Sequence, residues 1–345
     1  MTHDTRPVGS TGPIRSSKAL ALLAALALLA AAPAAAGRGD GPRAREGVGC
    51  PTWLPDFAGC GRSGRFEGFH SPIVAPYLFE DPFIATRIYP YYLWHQFPGR
   101  SILQGGTASV IAMQARVALT DRLAFIATKD GYMWLDPDNK LLSKETGNLN
   151  LAGGLKYALW QDREKGRIAS AVLRFEFPVG SSRVFQGFGH GEVLPSVTGA
   201  WSFGRTRLMG DFGAKIPFAT KQSTSLFYHL YAEYNVHPRF SPFVQLSGNT
   251  WTTSGDGKID VDLKNGPTVT IKTAQAVLNI PPFEGMDVLN LGIERISGTT
   301  QLTYAVGAHF GITENLTFAA AYERVLNSHR GLFQQRVTTG FTLEF

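Results

Sequence analysis

Residues 333–345 read Phe333-Gln334-Gln335-Arg336-Val337-Thr338-Thr339-Gly340-Phe341-Thr342-Leu343-Glu344-Phe345. Phe333, Gln335, Val337, Thr339, Phe341, Leu343 and Phe345 fall on one parity; Gln334, Arg336, Thr338, Gly340, Thr342 and Glu344 fall on the other. A period of two sends the two sets to opposite faces of a β-strand. The same period recurs upstream. Leu316, Phe318, Ala320 and Tyr322 alternate with Thr317, Ala319, Ala321 and Glu323. Leu226, Tyr228, Leu230, Ala232, Tyr234 and Val236 oppose Phe227, His229, Tyr231, Glu233 and Asn235. Leu149, Leu151, Leu155, Tyr157 and Leu159 oppose Asn150, Ala152, Lys156 and Ala158.

Composition narrows the class. The 345 residues are 44% hydrophobic and 17% charged, with 38 Gly and 23 Phe, which excludes a disordered chain or a coiled coil. A net charge of +6 with both signs interspersed gives no basic face for nucleic acid. Two cysteines cannot build a disulfide-dense scaffold or a four-thiolate metal site. Beyond residue 80 no stretch is apolar for long enough to span a bilayer as a helix.

The chain opens with an expected address. Arg6, Arg15 and Lys18 precede the apolar run Ala19 to Ala32; Pro33 and Ala34-Ala35-Ala36 follow, so residues 1–36 read as a signal peptide cut before Gly37. Cys50 and Cys60 then lie in a stretch rich in Pro and Gly, where an exported chain is expected to join them in a disulfide. Lipid attachment at Cys50 is the weaker reading, because the charged stretch Arg38 to Glu46 separates it from the apolar run.

Three features favour a membrane barrel over a soluble sandwich. The polar face mixes charges with Ala, Ser, Gly and Thr, as a barrel interior does. Aromatic residues such as Trp160, Phe175, Trp201, Phe218 and Tyr322 gather near strand ends. The turns come in two sizes, short at 120–122, 162–165, 204–206, 237–239 and 313–315, and longer near 130–147, 179–192, 217–223, 252–300 and 327–330. About eleven runs follow residue 108, and a chain that starts and ends on the same side needs an even count. Arg87 to Phe97 supplies the missing strand despite Pro90, giving about twelve. The expected architecture is all-β: a transmembrane antiparallel up-and-down barrel over residues 84–345, preceded by a periplasmic or plug-like segment, 37–83, with one disulfide.

The terminal Phe345, with Phe341 and Leu343 before it, resembles the targeting signature of bacterial outer-membrane barrels and implies the barrel-assembly machinery as a partner. The stretches Tyr77 to Phe83 (YLFEDPF), Val117 to Gly131 (VALTDRLAFIATKDG), Phe283 to Gly292 (FEGMDVLNLG) and Gly311 to Glu323 (GITENLTFAAAYE) resemble an uncharacterised bacterial outer-membrane β-barrel family. The resemblance spans roughly residues 77–345. It implies fold, outer-membrane location and contact with outer-membrane lipid, and brings no catalytic or ligand residues with it.

With the apolar faces toward lipid, the opposite parity supplies a lumen: Arg116, Lys156, Arg174, Arg207, Lys215 and Arg336, with Glu176, Asp211, Glu233, Glu323, His229 and His309. About twelve strands enclose more space than wall side chains need fill. The expected function is a passive channel for a small solute. The alternative is a structural or surface-binding barrel whose charges pair across the lumen and, with the N-terminal segment, close it. A third reading is a lipid hydrolase at the barrel rim, built on His229 and Ser247-Gly248-Asn249. Alternation turns those residues inward, however, and the compact His-x-Ser-Asn arrangement of outer-membrane phospholipases is missing. No enzyme activity, cofactor or metal is therefore expected. Asp256, Asp260 and Asp262 do not match a calcium loop, and Asn265-Gly266 reads as a hairpin turn among them. Gly187, Gly189 and Gly191 read as an outer loop, since no helix follows them.

Overall fold

The computed structural model describes Phe66, residues 68–327 and residues 330–345. The expected leader and the Cys50–Cys60 disulfide lie outside the described residues.

The strands in chain order are β1 (Arg87–Gln96), β2 (Gly106–Ala118), β3 (Leu123–Lys129), β4 (Tyr132–Pro137), β5 (Glu145–Asn148), β6 (Leu151–Asp162), β7 (Arg167–Phe177), β8 (Glu192–Phe203), β9 (Thr206–Pro217), β10 (Thr224–Tyr234), β11 (Phe240–Thr253), β12 (Asp260–Asp262), β13 (Thr268–Thr270), β14 (Thr300–Gly311), β15 (Leu316–Val325) and β16 (Gln335–Glu344). β3 and β4 are two halves of one wall strand, both paired with β2. β5 and β6 are the matching halves of the next. The break requires Gly131: its φ is 116°, and a Cβ there would lie 2.6 Å from the Ile111 carbonyl oxygen. With these halves joined, twelve antiparallel wall strands close on themselves where β1 pairs with both β2 and β16. Closure leaves the wall with no free edge.

β12, β13 and the helix α1 (Ile271–Leu278) stand outside the wall, in the long connection from β11 to β14. Asn265 takes a φ of 57° at the β12–β13 turn, and Thr270 caps α1 by accepting from the Thr273 amide at 3.2 Å.

Alternation sorts the side chains. Leu155, Leu173, Phe212 and Leu230 point outward and are 45–59% exposed. A continuous apolar band of this kind fits lipid, not water. Phe240, Phe310, Phe318 and Phe341 form a row of rings with successive centroids 5.3, 6.2 and 5.2 Å apart, crossing four adjacent strands near one rim. Such a row is what an interfacial aromatic girdle looks like. A bulge between Ala158 and Trp160 turns both Leu159 and Trp160 outward. Leu149 departs from its expected outward place. The β5–β6 break shifts the alternation, and Leu149 is buried among interior residues.

Leu155→Arg places a guanidinium in the middle of the outward band, opposite Leu173 on β7. It is expected to lower stability in lipid by about 2–4 kcal/mol. Urea unfolding in phospholipid vesicles measures this, with the inward Ala158→Ser as the comparison.

Inside the wall, small residues make room for a second layer. Ala118, Ala124, Ala158, Ala200, Ala305 and Ala321 are buried against Phe66, Phe69, Phe79 and Phe83 from the segment before β1. The Phe69 and Phe83 rings lie 5.1 Å apart, and Phe66 lies 5.3 Å from Phe83. A separate interior cluster joins Tyr77 and wall residues of β1, β2 and β4 to Phe283, Val288, Leu289, Leu291 and Ile293 from the long connection. The lumen is therefore filled by two segments that are not part of the wall.

Candidate functional site

The first of these, residues 68–86, runs inside the barrel. Near one rim the Asn235 side-chain amide donates to the Gly68 carbonyl at 2.9 Å. Ala75, with a φ of 52°, begins a turn in which the Leu78 and Phe79 amides both return to its carbonyl at 3.0 Å. The chain then descends to β1, and Thr86 accepts from the Ala118 amide at 3.2 Å. Wall side chains hold this insert from many sides. Arg174 donates to the Tyr77 and Leu78 carbonyls at 3.0 and 2.9 Å, Ser170 to that of Pro82 at 2.6 Å, and Gln245 to that of Val74 at 3.3 Å.

Charge is concentrated at Glu80 and Asp81. Arg116 grips both Glu80 oxygens, at 3.1 and 2.5 Å. Lys156 reaches Glu80 at 2.8 Å and Asp81 at 3.1 Å, and Arg87 reaches Asp81 at 3.5 Å. Burial works to raise both carboxyls. Arg116 and Lys156 override it at Glu80, Lys156 and Arg87 at Asp81, so both lie below the usual carboxylate range.

The second segment is the connection between β11 and β14, which folds back into the opposite mouth. Glu284 is fully buried and acts as its hub. Its carboxylate accepts from Ser223 Oγ at 2.6 Å and from the amides of Gly285, Leu291 and Ile293 at 2.7, 2.6 and 2.9 Å. Burial pushes the Glu284 carboxyl up, and these donors offset part of that rise. Three residues on, Asp287 makes a two-pronged ion pair with Arg336 at 2.7 Å for each contact. Burial would raise the Asp287 carboxyl; Arg336 outweighs it and holds the value at about 2. Lys129 donates to the Val288 carbonyl at 3.0 Å, and Lys215 to those of Met286 and Leu289 at 3.4 Å. The two segments face each other across a small cavity lined by Ala75 and Leu78 on one side and Met286 and Asp287 on the other.

A depressed Asp287 carboxyl stabilises the folded-back connection above the unfolded value near 4, and that stability is lost as pH falls toward about 2. Wild type is therefore expected to protect the connection more than Asp287→Asn by about 2 kcal/mol at pH 7, with the gap closing between about pH 4 and pH 2. Hydrogen exchange at the Leu291 and Ile293 amides reads it. Glu284 is present in both proteins, so its own titration cancels in the difference.

The remaining wall residues take specific partners. Glu176 accepts from Lys129 at 2.6 Å and Asn150 at 2.8 Å, and Lys215 lies 3.6 Å from Glu192. Glu233 accepts from Tyr231 at 2.6 Å and lies 2.6 Å from His70 of the insert, whose ring stacks on His309 with centroids 4.7 Å apart. Glu323 accepts from Thr303 at 2.6 Å and lies 3.7 Å from Arg336. Arg207, half-buried at the rim, lies over the Phe69 ring at 5.2 Å. Phe341 points outward in the ring row, Leu343 is half-buried, and the Phe345 amide donates to the Thr86 carbonyl at 3.1 Å.

His229 and Ser247 do sit opposite each other on β10 and β11, and His229 Nδ1 donates to Asp211 at 2.6 Å. The relay stops there. Ser247 Oγ accepts from Gln245 at 3.0 Å, while the His229 ring stacks on Phe79 of the insert at 4.9 Å. No hydrogen bond joins His229 to Ser247 among the described residues, so the nucleophile–base contact that a hydrolase needs is not formed. No group of three or more His, Cys, Asp or Glu arranged to hold a metal ion occurs among the described residues either.

Sequence reading missed Lys129, Glu192, Glu80, Asp81, Glu284 and Asp287. Lys129 escapes because a register shift beside it breaks the alternation. The four insert and connection acids lie outside any periodic run, and their signal is weaker: paired acids set among Phe, Pro and Gly.

No protein-family profile matches the chain, and no curated protein does. Solved structures match over most of its length. An outer-membrane channel from Pseudomonas putida F1 is 14% identical, with a TM-score of 0.50, covering 80% of this chain and all of that one. A KdgM porin solved with disordered oligogalacturonate is 9% identical, with a TM-score of 0.41 over 75% of this chain and 99% of that one. The β domain of the Bordetella autotransporter BrkA is 11% identical, with a TM-score of 0.42 over 76% and 100%. At this identity the likeness to the Pseudomonas channel is one of fold: the chain is a closed twelve-strand barrel of the outer-membrane type.

Proposed function

We propose that the protein is a passive outer-membrane channel for a small polar solute, and that the described arrangement is its closed state. In this reading the protein sits in the outer membrane of a double-membraned bacterium, which the lipid-facing band supports and which the expected signal peptide would require for export. The observation that carries it is where the wall cations find their partners. Arg116, Lys156, Arg174 and Arg336 bond chiefly to the insert and the long connection, not to wall carboxylates. A barrel that needed only to be sealed could pair its wall charges with one another. Here those wall cations are met by the insert and the long connection, the two segments that stop the lumen. The Pseudomonas channel supports the reading through its fold.

The filled lumen favours one second reading, a permanently sealed barrel serving as a structural or surface-binding protein. Solute flux separates the two. Folded protein in liposomes is expected to admit small sugars and organic acids at a rate that falls with solute size. Liposomes that stay tight to all of them, with the barrel shown to be folded, would contradict the channel.

A further inference from the structure

Resting on that reading, we propose that Arg116, Lys156 and Arg87 form a binding site for a small dicarboxylate, which Glu80 and Asp81 of the insert occupy in the closed state. Among the described residues, the ion pairs of Arg116 and Lys156 are all with these two acids. The other buried lysines differ: Lys129 has Glu176 and Lys215 has Glu192 on the wall itself. Arg116 and Lys156 are buried, at 5% and 0% exposure, so leaving them without an anion is strongly unfavourable. Withdrawal of the insert from the lumen would leave the site needing negative charge from elsewhere.

The geometry defines what that charge must look like. Arg116 offers the planar two-pronged grip that matches one carboxylate. Lys156 bridges to a second carboxylate on the adjacent residue, which Arg87 at the start of β1 also contacts at 3.5 Å. The Tyr89 ring lies under the Arg116 guanidinium, 4.6 Å away, and its hydroxyl donates to Asp81 at 3.3 Å. Two carboxylates joined by a short linker satisfy all these groups; a single phosphate would fill only the Arg116 half.

Glu80→Ala/Asp81→Ala in the full chain removes both carboxylates and opens the space between the cations. Succinate is the probe, with potassium chloride at equal ionic strength and inorganic phosphate as comparisons. Thermal unfolding in detergent is expected to show succinate raising the melting temperature of this variant by several degrees at millimolar concentration. Chloride and phosphate raise it less, and adding Arg116→Met/Lys156→Met abolishes the gain. Equal stabilisation by chloride, or persistence of the gain without the two cations, would overturn the site; equal stabilisation by phosphate would overturn the two-carboxylate assignment. If the double truncation does not refold, refolding yield becomes the readout, and failure of succinate to restore it likewise overturns the proposal. None of these readouts requires conduction. A variant that binds succinate yet passes no current in bilayers would sink the channel and leave the site standing.

Discussion

Glu80→Ala is expected to lower the unfolding free energy by about 3–5 kcal/mol. The size follows from what it leaves behind. Glu80 is 1% exposed and bonds Arg116 and Lys156 together, so its removal strands the buried Arg116 and takes one of two carboxylates from Lys156. Lys156 keeps Asp81 at 3.1 Å, while Arg116 keeps a carbonyl contact to Ala127 at 3.3 Å and no other ion pair among the described residues. Glu80→Gln preserves shape and some hydrogen bonding and should lose about half as much. Urea unfolding of both variants in detergent checks the order. Losses below about 1 kcal/mol for both would mean that the insert is not held by its charges.

Glu284→Ala is expected to release the long connection while leaving the wall intact. The substitution strands the amides of Gly285, Leu291 and Ile293 and the Ser223 hydroxyl. Each buried donor left unmet costs about 1–3 kcal/mol. Opening to water satisfies all of them, against remaining anchors that include the Asp287–Arg336 pair, the Asn290 bonds to Glu192 and Ser223, carbonyl contacts to Lys129, Lys215 and Gln186, and apolar packing. Exchange of connection amides should quicken by about 100-fold, with wall amides such as those of β8 and β9 unchanged. A uniform change across both would show that the connection and wall unfold as one unit.

Much of the fold was legible because a two-residue period is a strong signal wherever one face meets lipid and the other a polar interior. Arg336 and Thr338 against Phe341, and Lys156 against Leu155 and Tyr157, fall on the sides the period assigns. The twelve-strand count follows from turn spacing and parity, with β1 at Arg87–Gln96. The period fails where the strands break or slip: Leu149 turns inward at the β5–β6 break, and Lys129 joins the interior at the register shift after Ala127. How the lumen is filled was much less legible. Glu80, Asp81, Glu284 and Asp287 belong to irregular segments whose path depends on distant wall partners, 171 positions apart for Gln245 and Val74. No local pattern encodes such a pairing. The plug-like reading of residues 37–83 was one clue to a second layer, and the inner alanines, small enough to admit aromatic rings, were another.

Single-channel recording in planar bilayers tests the central claim most directly, comparing the folded full chain with Glu284→Ala/Asp287→Ala. Wild type is expected to stay closed for most of the record, with brief discrete openings. The variant should show frequent steps of larger conductance, because one of the two stoppers is no longer held. Silence from both proteins, with each shown to be folded, would contradict a closed channel and leave a sealed barrel.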